Sequence, residues 1–256
     1  MRKRQKLVLT AFLLAIFWGA AQAAPLEWRY WLVGLLGIVG WGLSYWALRE
    51  GLDGAEWLMV LLPIGLFMVA VGLFYILLPV AWAARILIGI LLAIGLYALL
   101  LTANIFSVAA IRTIALFRAA LAVSFVMTLL TGFLLFDTIL SFRLSFWIIG
   151  ILVSSVAFLM FVPSLWSVKL EKRVSADIWT FSIVLSVLMG WLAVAVSFWP
   201  INLSVAALFL STMLYIFLGV SQHHFQERLF VRTVWEYITV GGVVLMTMLL
   251  TSGWGV

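Results

Sequence analysis

The residues best suited to chemistry lie in the stretch "HHFQE", which holds both histidines of the chain, His223 and His224, and the carboxylate of Glu227. On a helix, His223 and Glu227 would share a face because they are four residues apart, and they could supply two metal ligands. A catalytic zinc site needs about three protein ligands, and the chain has neither an H-E-x-x-H nor an H-x-x-E-H motif. We therefore interpret "HHFQE" as a polar cap on an apolar helix and predict no metal site, catalytic residue or cofactor.

Asp137 is the only acidic residue well inside an apolar run. Ionisable groups within a membrane are costly and commonly mark a functional site. Asp137 lies about one turn from the end of its run, however, and Arg143 lies just beyond that end. The sequence therefore favours an ion pair between these two residues at the membrane surface, and Asp137 is a weak functional candidate.

The composition is that of a membrane protein. Of the 256 residues, 67% are hydrophobic and 9% are charged, and the mean hydropathy is +1.28, whereas a soluble domain has about 25% charged residues. Runs of about 20 apolar residues suit helices that cross a hydrocarbon layer of about 30 Å. The predicted fold is an all-α polytopic membrane protein whose apolar runs are 7–24, 30–48, 57–80, 86–106, 119–141, 146–168, 178–199, 205–220 and 234–251.

The fifteen Lys and Arg residues are divided unequally between the two ends of these runs. Twelve fall on the side of the N-terminal segment, and three (Arg29, Arg85 and Arg143) fall on the other side. Because positive residues are enriched in cytoplasmic loops, the N-terminus is predicted to be cytoplasmic and the C-terminus outside, in a bacterial inner membrane. The net charge of +6 thus reflects topology, and the expected partner is the lipid bilayer, with a membrane protein or a second copy as further alternatives and no nucleic acid.

The N-terminal segment allows two interpretations. It has a basic start, an apolar core and then Ala21-Gln22-Ala23, which fits the A-x-A pattern of a signal-peptide cleavage site. Residues 1–24 are therefore either a signal peptide or a short first membrane span. Removal after Ala23 would leave eight spans and would not change the orientation of the others.

An offset of about 120 residues aligns landmarks in the two halves of the chain: Arg49 with Lys169, Trp57 with Trp179, Pro79 with Pro200, and Arg112 with Arg232. This predicts an eight-helix bundle made of two four-helix repeats, 30–141 and 146–256. Four spans per unit preserve orientation, so the repeats would be parallel and related by about half a turn around the membrane normal. Asn104 falls at the place of His223 in this alignment, which suggests a shared structural role.

The residues leave the molecular function open between two classes. The duplicated bundle narrowly favours a permease-like protein for a small neutral or lipophilic solute. A non-catalytic scaffold that binds lipid or a partner protein explains the apolar helices and short loops as well. An enzyme is less favoured, because "HHFQE" is its sole candidate site. Gly34, Gly37 and Gly40 recur every three residues and predict close helix packing, with a ligand-lining groove as the alternative.

Overall fold

The structure is a computed structural model, and it describes residues 3–49, 56–78, 81–108, 114–171 and 174–253. Within these ranges the chain forms nine helices and no strand. Each helix is long and apolar enough to cross a membrane, so the chain is an all-α integral membrane protein. The helices are α1 (Lys3–Ala21), α2 (Leu26–Leu48), α3 (Glu56–Ile76), α4 (Trp82–Phe106), α5 (Ile114–Ser141), α6 (Phe146–Lys169), α7 (Ala176–Ser197), α8 (Leu203–Phe225) and α9 (Val231–Leu250).

These helices correspond one to one to the predicted apolar runs, and their ends differ from the predicted ends by at most five residues. α8 extends to Phe225 rather than to residue 220, so the polar residues after the predicted end of the run are also helical. One of the side chains there, Gln222, donates a hydrogen bond of 3.2 Å to the carbonyl oxygen of Ser164 in α6. Two landmarks of the predicted repeat, Pro79 and Arg112, lie outside the described residues.

Most serine and threonine hydroxyls within the described helices donate to the backbone of the preceding turn. Thr102 donates to the carbonyl oxygen of Ala98 at 2.8 Å, and Thr131 donates to that of Met127 at 2.7 Å. This bond to the preceding turn keeps a hydroxyl from remaining unpaired in hydrocarbon, where an unsatisfied polar group costs several kcal/mol. Serine and threonine are therefore compatible with these membrane helices.

The first compact unit, Met1–Thr131, contains α1 to α4 and the start of α5. α1 packs against α2 and α4, and α3 packs against α2 and α4. At Gly37 an added Cβ atom would lie 2.8 Å from Cγ2 of Val69, and at Gly40 it would collide with the sulfur of Met68. The prediction of close helix packing is confirmed for these two glycines and wrong for Gly34, which has open space at that position.

The second compact unit, Gly132–Val256, contains the end of α5 and α6 to α9. α6 packs against α7 and α8, and α8 packs against α7 and α9. α6 and α7 come close together at Gly150 and Gly190, where a Cβ atom added to Gly190 would lie 2.8 Å from the carbonyl oxygen of Gly150. Small residues of this kind let helix backbones touch in a membrane.

Candidate functional site

The "HHFQE" stretch marks the end of α8. His223 and His224 lie in the last turn, Gln226 is the C-cap, and Glu227 has a left-handed backbone with φ of 55°. The amide of Arg228 donates to the carbonyl oxygen of His223 at 2.9 Å, and that of Glu227 donates to the carbonyl oxygen of His224 at 3.0 Å. This pattern is a Schellman motif. The prediction that His223 and Glu227 share a helical face is wrong, because the helix ends before Glu227.

The two histidine rings have different neighbours. Nδ1 of His223 lies 2.8 Å from the carbonyl oxygen of Gly219, and its ring lies 6.0 Å from that of Tyr237 in α9. The ring of His224 stacks on Phe181 of α7 at 5.6 Å. In the part of the chain that the structure describes, no group of three His, Asp or Glu residues could hold a metal ion. The stretch is a helix terminus with aromatic contacts.

Asp137 is buried in α5, with 7% of its surface exposed. Its Oδ1 atom has no hydrogen-bond partner among the described residues. No ion pair within 4.0 Å joins it to Arg143, so the predicted pair is wrong. The physical reason lies in the turn after α5, where Arg143 adopts a left-handed backbone with φ of 48°. Arg143 instead lines a cavity of about 370 Å³ together with Phe198 and Trp199.

Asn104 lies two residues before the end of α4, as His223 lies two residues before the end of α8. Its side chain is buried, and its Oδ1 atom has no hydrogen-bond partner within the described part of the chain. The structure therefore places the five predicted site residues at three helix ends: Asn104 near the end of α4, Asp137 near the end of α5, and His223, His224 and Glu227 at the end of α8.

A groove between α6 and α7 is a feature that the sequence reasoning missed. It has a volume of about 410 Å³, and its lining includes Trp147 and Gly150 of α6 and Val187, Gly190 and Trp191 of α7. Trp147 and Trp191 are 57% and 69% exposed. The glycines bring the helix backbones together, and the two indole rings form part of the walls. A glycine within each of the two apolar runs, Gly150 and Gly190, was the available sequence signal.

A second groove lies between α2 and α3 in the first unit. It has a volume of about 520 Å³ and is lined by Ile38, Trp41, Gly42, Tyr45, Trp57 and Leu61. The rings of Trp41 and Trp57 are 5.5 Å apart, and those of Tyr45 and Trp57 are 6.2 Å apart. Volumes of 300 to 1,000 Å³ and mainly apolar or aromatic walls are typical of small-molecule sites.

Residues 56–251 match the DUF5656 family, which is described as a protein of unknown function. The chain belongs to this family. The DUF5656 match begins at the first residue of α3 and covers α3 to α9, so the whole α6–α7 groove lies within it. No curated protein and no solved structure matches the chain.

Proposed function

We propose that this membrane protein is a non-catalytic binder of lipophilic molecules, which it holds in the grooves between its glycine-packed helices. The observation that carries the proposal is the presence of an apolar groove with tryptophan in its walls in each compact unit, on α2–α3 and on α6–α7. Such walls offer a large apolar contact area and few hydrogen bonds, which suits an acyl chain or another lipophilic molecule.

A groove-filling substitution tests this function. Val187 lines the α6–α7 groove and is 48% exposed, so Val187→Trp should fill the groove. Val184 lies one turn earlier on α7, is 52% exposed and is not among the lining residues, so Val184→Trp is the matched control. The protein would be placed in nanodiscs with a lipid that carries a photoactivatable group on its acyl chain.

Cross-linked peptides from the α6–α7 groove should be enriched in the wild type and in Val184→Trp. They should decrease several-fold in Val187→Trp, because the added ring excludes the chain. Equal labelling of Val187→Trp and the wild type would contradict lipid binding in the groove.

The helix bounds support the proposed internal repeat. α2 and α6 begin at residues 26 and 146, and α3 and α7 begin at residues 56 and 176, which is an offset of 120 in both cases. Trp57 at the start of α3 contacts Trp41 of α2, and Trp179 at the start of α7 contacts Phe158 of α6 at 5.9 Å. Closely packed glycines occur on the same helix pairs. The predicted half-turn between parallel repeats stays a prediction.

A permease-like activity for a lipophilic solute is the second candidate, and the repeat favours it because duplicated parallel units are common in transporters. Reconstituted vesicles should then show faster entry of a fluorescent fatty-acid analogue than empty vesicles, and Val187→Trp should remove the difference. Binding without such entry would restrict the function to a lipid-binding scaffold.

The packing of α1 supports its retention as a first membrane span. Leu7, Leu14 and Trp18 are each at most 1% exposed, because this face of α1 is covered by other helices of the first unit. A segment that is removed after membrane insertion would leave those neighbouring surfaces uncovered. The proposed protein therefore keeps α1 as the first of the nine spans within its described residues, with its N-terminus in the cytoplasm as the charge distribution predicts.

A further inference from the structure

The first unit has four polar residues near the place where α1 ends, α3 ends and α4 begins: Trp18, Gln22, Tyr75 and Arg85. The ring of Trp18 in α1 lies 5.1 Å from that of Tyr75 in α3, in an edge-to-face arrangement. Arg85 of α4 donates from Nη2 to the backbone carbonyl oxygen of Gln22 at 3.3 Å. One turn after Arg85, Gly89 faces the indole ring of Trp18, and an added Cβ atom would lie 3.6 Å from its Cζ3.

Several polar atoms of this cluster are buried and have no hydrogen-bond partner among the described residues. Trp18, Gln22 and Tyr75 are 1%, 0% and 2% exposed. Five atoms have no hydrogen-bond partner among the described residues: Nε1 of Trp18, Nε2 and Oε1 of Gln22, the hydroxyl of Tyr75 and Nε of Arg85. Leaving a buried donor or acceptor unpaired is costly. Most Ser and Thr side chains of these helices bond instead to their own backbone, so this concentration of unpaired groups is distinctive.

The cluster is rich in donors and carries a positive charge. The indole, guanidinium and amide N–H groups and the tyrosine hydroxyl can all donate, whereas Oε1 of Gln22 can only accept. No carboxylate within the described ranges pairs with Arg85 at 4.0 Å or less. Arg85 also lies in the first turn of α4, whose N-cap residue Ala81 makes no side-chain cap bond. The positive end of the helix dipole therefore adds to the charge of Arg85.

The position of the cluster along α4 matches the level of lipid headgroups. Trp82 begins this helix and is 79% exposed, and exposed tryptophans at helix ends are typical of the membrane–water interface. Guanidinium groups bind phosphate oxygens through paired, charge-assisted hydrogen bonds.

We propose that Trp18, Gln22, Tyr75 and Arg85 form a binding site for a phosphate group, provided by a phospholipid headgroup or by free phosphate. Arg85 supplies the charge and the principal hydrogen bonds, and Trp18, Tyr75 and the amide of Gln22 supply further donors. The site uses none of the residues that line the two apolar grooves, so it is tested separately from the proposed function.

The experiment uses the full chain, purified in dodecyl maltoside and stripped of lipid. Thermal unfolding and affinity are measured with inorganic phosphate and, separately, with dioctanoyl phosphatidylglycerol. The variants are Arg85→Gln, which removes the charge, and Tyr75→Phe, which removes one oxygen atom and keeps the ring. Arg29→Gln is the matched control. Arg29 lies in the first turn of α2, and its guanidinium already donates to the carbonyl oxygen of Ala24 at 2.7 Å, outside the proposed site.

At least one probe should raise the unfolding temperature of the wild type and of Arg29→Gln, and Arg85→Gln should lose that effect. Tyr75→Phe should bind about tenfold more weakly, since it lacks one hydrogen bond to a charged group. Stabilisation by the lipid alone assigns the site to a headgroup, and stabilisation by both probes assigns it to phosphate in general.

Three results would overturn the site: no stabilisation of the wild type by either probe, an unchanged response in Arg85→Gln, or an equal loss in Arg29→Gln. Tyr75→Phe provides a further test without any probe. Its unfolding temperature should equal or exceed that of the wild type, because an unpaired hydroxyl has been removed. A lower value would mean that the hydroxyl already has a protein partner, which contradicts the site.

Discussion

The contact between Gly150 and Gly190 rests on the absence of two side chains. A Cβ atom at Gly150 would lie 2.6 Å from Cγ2 of Val194, and one at Gly190 would lie 2.8 Å from a backbone oxygen. A side-chain methyl can move aside by rotation, whereas a carbonyl oxygen in a helix is fixed by its own hydrogen bond. Gly190 is therefore the less replaceable of the two residues.

Gly190→Ala should destabilise the protein by about 1–3 kcal/mol, the usual cost of forcing an extra carbon into a packed contact. Gly42→Ala is the control, because no atom of another helix in the described part of the chain lies within 4 Å of a Cβ atom at that position. It should stabilise the protein by up to about 1 kcal/mol through helix propensity. Thermal unfolding in detergent measures both effects, and equal shifts in the two variants would contradict the close contact.

Asp137→Asn should raise the free energy of unfolding by about 1 kcal/mol. The carboxylate is buried with one unpaired oxygen atom, and a neutral amide of the same shape costs less to bury than an unpaired charged group. Ser141→Ala in the same helix is a suitable comparison, since the hydroxyl of Ser141 donates to the carbonyl oxygen of Asp137 at 2.7 Å. Lower stability of Asp137→Asn would indicate a favourable partner for the charge.

Backbone conformation explains why individual site residues were hard to predict. Glu227 and Arg143 both adopt positive φ values. This conformation is expected at glycine or asparagine, so the sequence gives no sign of it at glutamate or arginine. Each lies where a helix has just ended, so a prediction that continues the helix or extends the side chain back along it fails. The α6–α7 groove was missed for a related reason, since it depends on which pair of helices makes contact.

At the level of elements, α1 is distinguished by a sharp contrast between its faces. Leu14 is completely buried, whereas Phe12 is 60% exposed. Leu14→Ala should therefore cost about 2–5 kcal/mol, and Phe12→Ala should change stability by less than about 0.5 kcal/mol. Thermal unfolding provides the comparison.

The same element gives a second measurement. If α1 is a permanent part of the fold, the intact mass of the membrane-extracted protein should include residues 1–23. A mature species that begins after Ala23, together with equal stabilities of Leu14→Ala and Phe12→Ala, would contradict retention of α1.

The existence of all nine helices could be predicted from hydropathy alone, because each apolar run is long enough to cross hydrocarbon and is bounded by charged or turn residues. Helix ends were less predictable. The polar end of α8 remains helical, with Gln222 bonded to α6, and such a contact is invisible in a local pattern. Which helices pack together is a long-range property and could not be read from the runs.

At the level of the whole molecule, the side of the membrane on which each loop lies can be tested directly, because the chain has no cysteine. Ser145, after α5, and Gln226, after α8, are both exposed. The charge distribution places Ser145 outside and Gln226 in the cytoplasm. In intact cells, Ser145→Cys should react with a membrane-impermeant thiol reagent and Gln226→Cys should not.

Both variants should react after the cells are opened, which controls for accessibility of the thiol. Labelling of Gln226→Cys in intact cells, with Ser145→Cys protected, would reverse the topology of the chain.

The glycine contact between α6 and α7 also determines how this helix pair would respond to bilayer thickness. The helices have 24 and 22 residues, or about 36 and 33 Å at 1.5 Å per residue, compared with a hydrocarbon layer of about 30 Å. Two helices joined backbone to backbone cannot easily slide past each other, so the excess length would be accommodated by tilting both together. A thinner bilayer would tilt the pair further, and the α6–α7 groove would tilt with it. The composition of the membrane would therefore control the angle between the groove and the surrounding lipid.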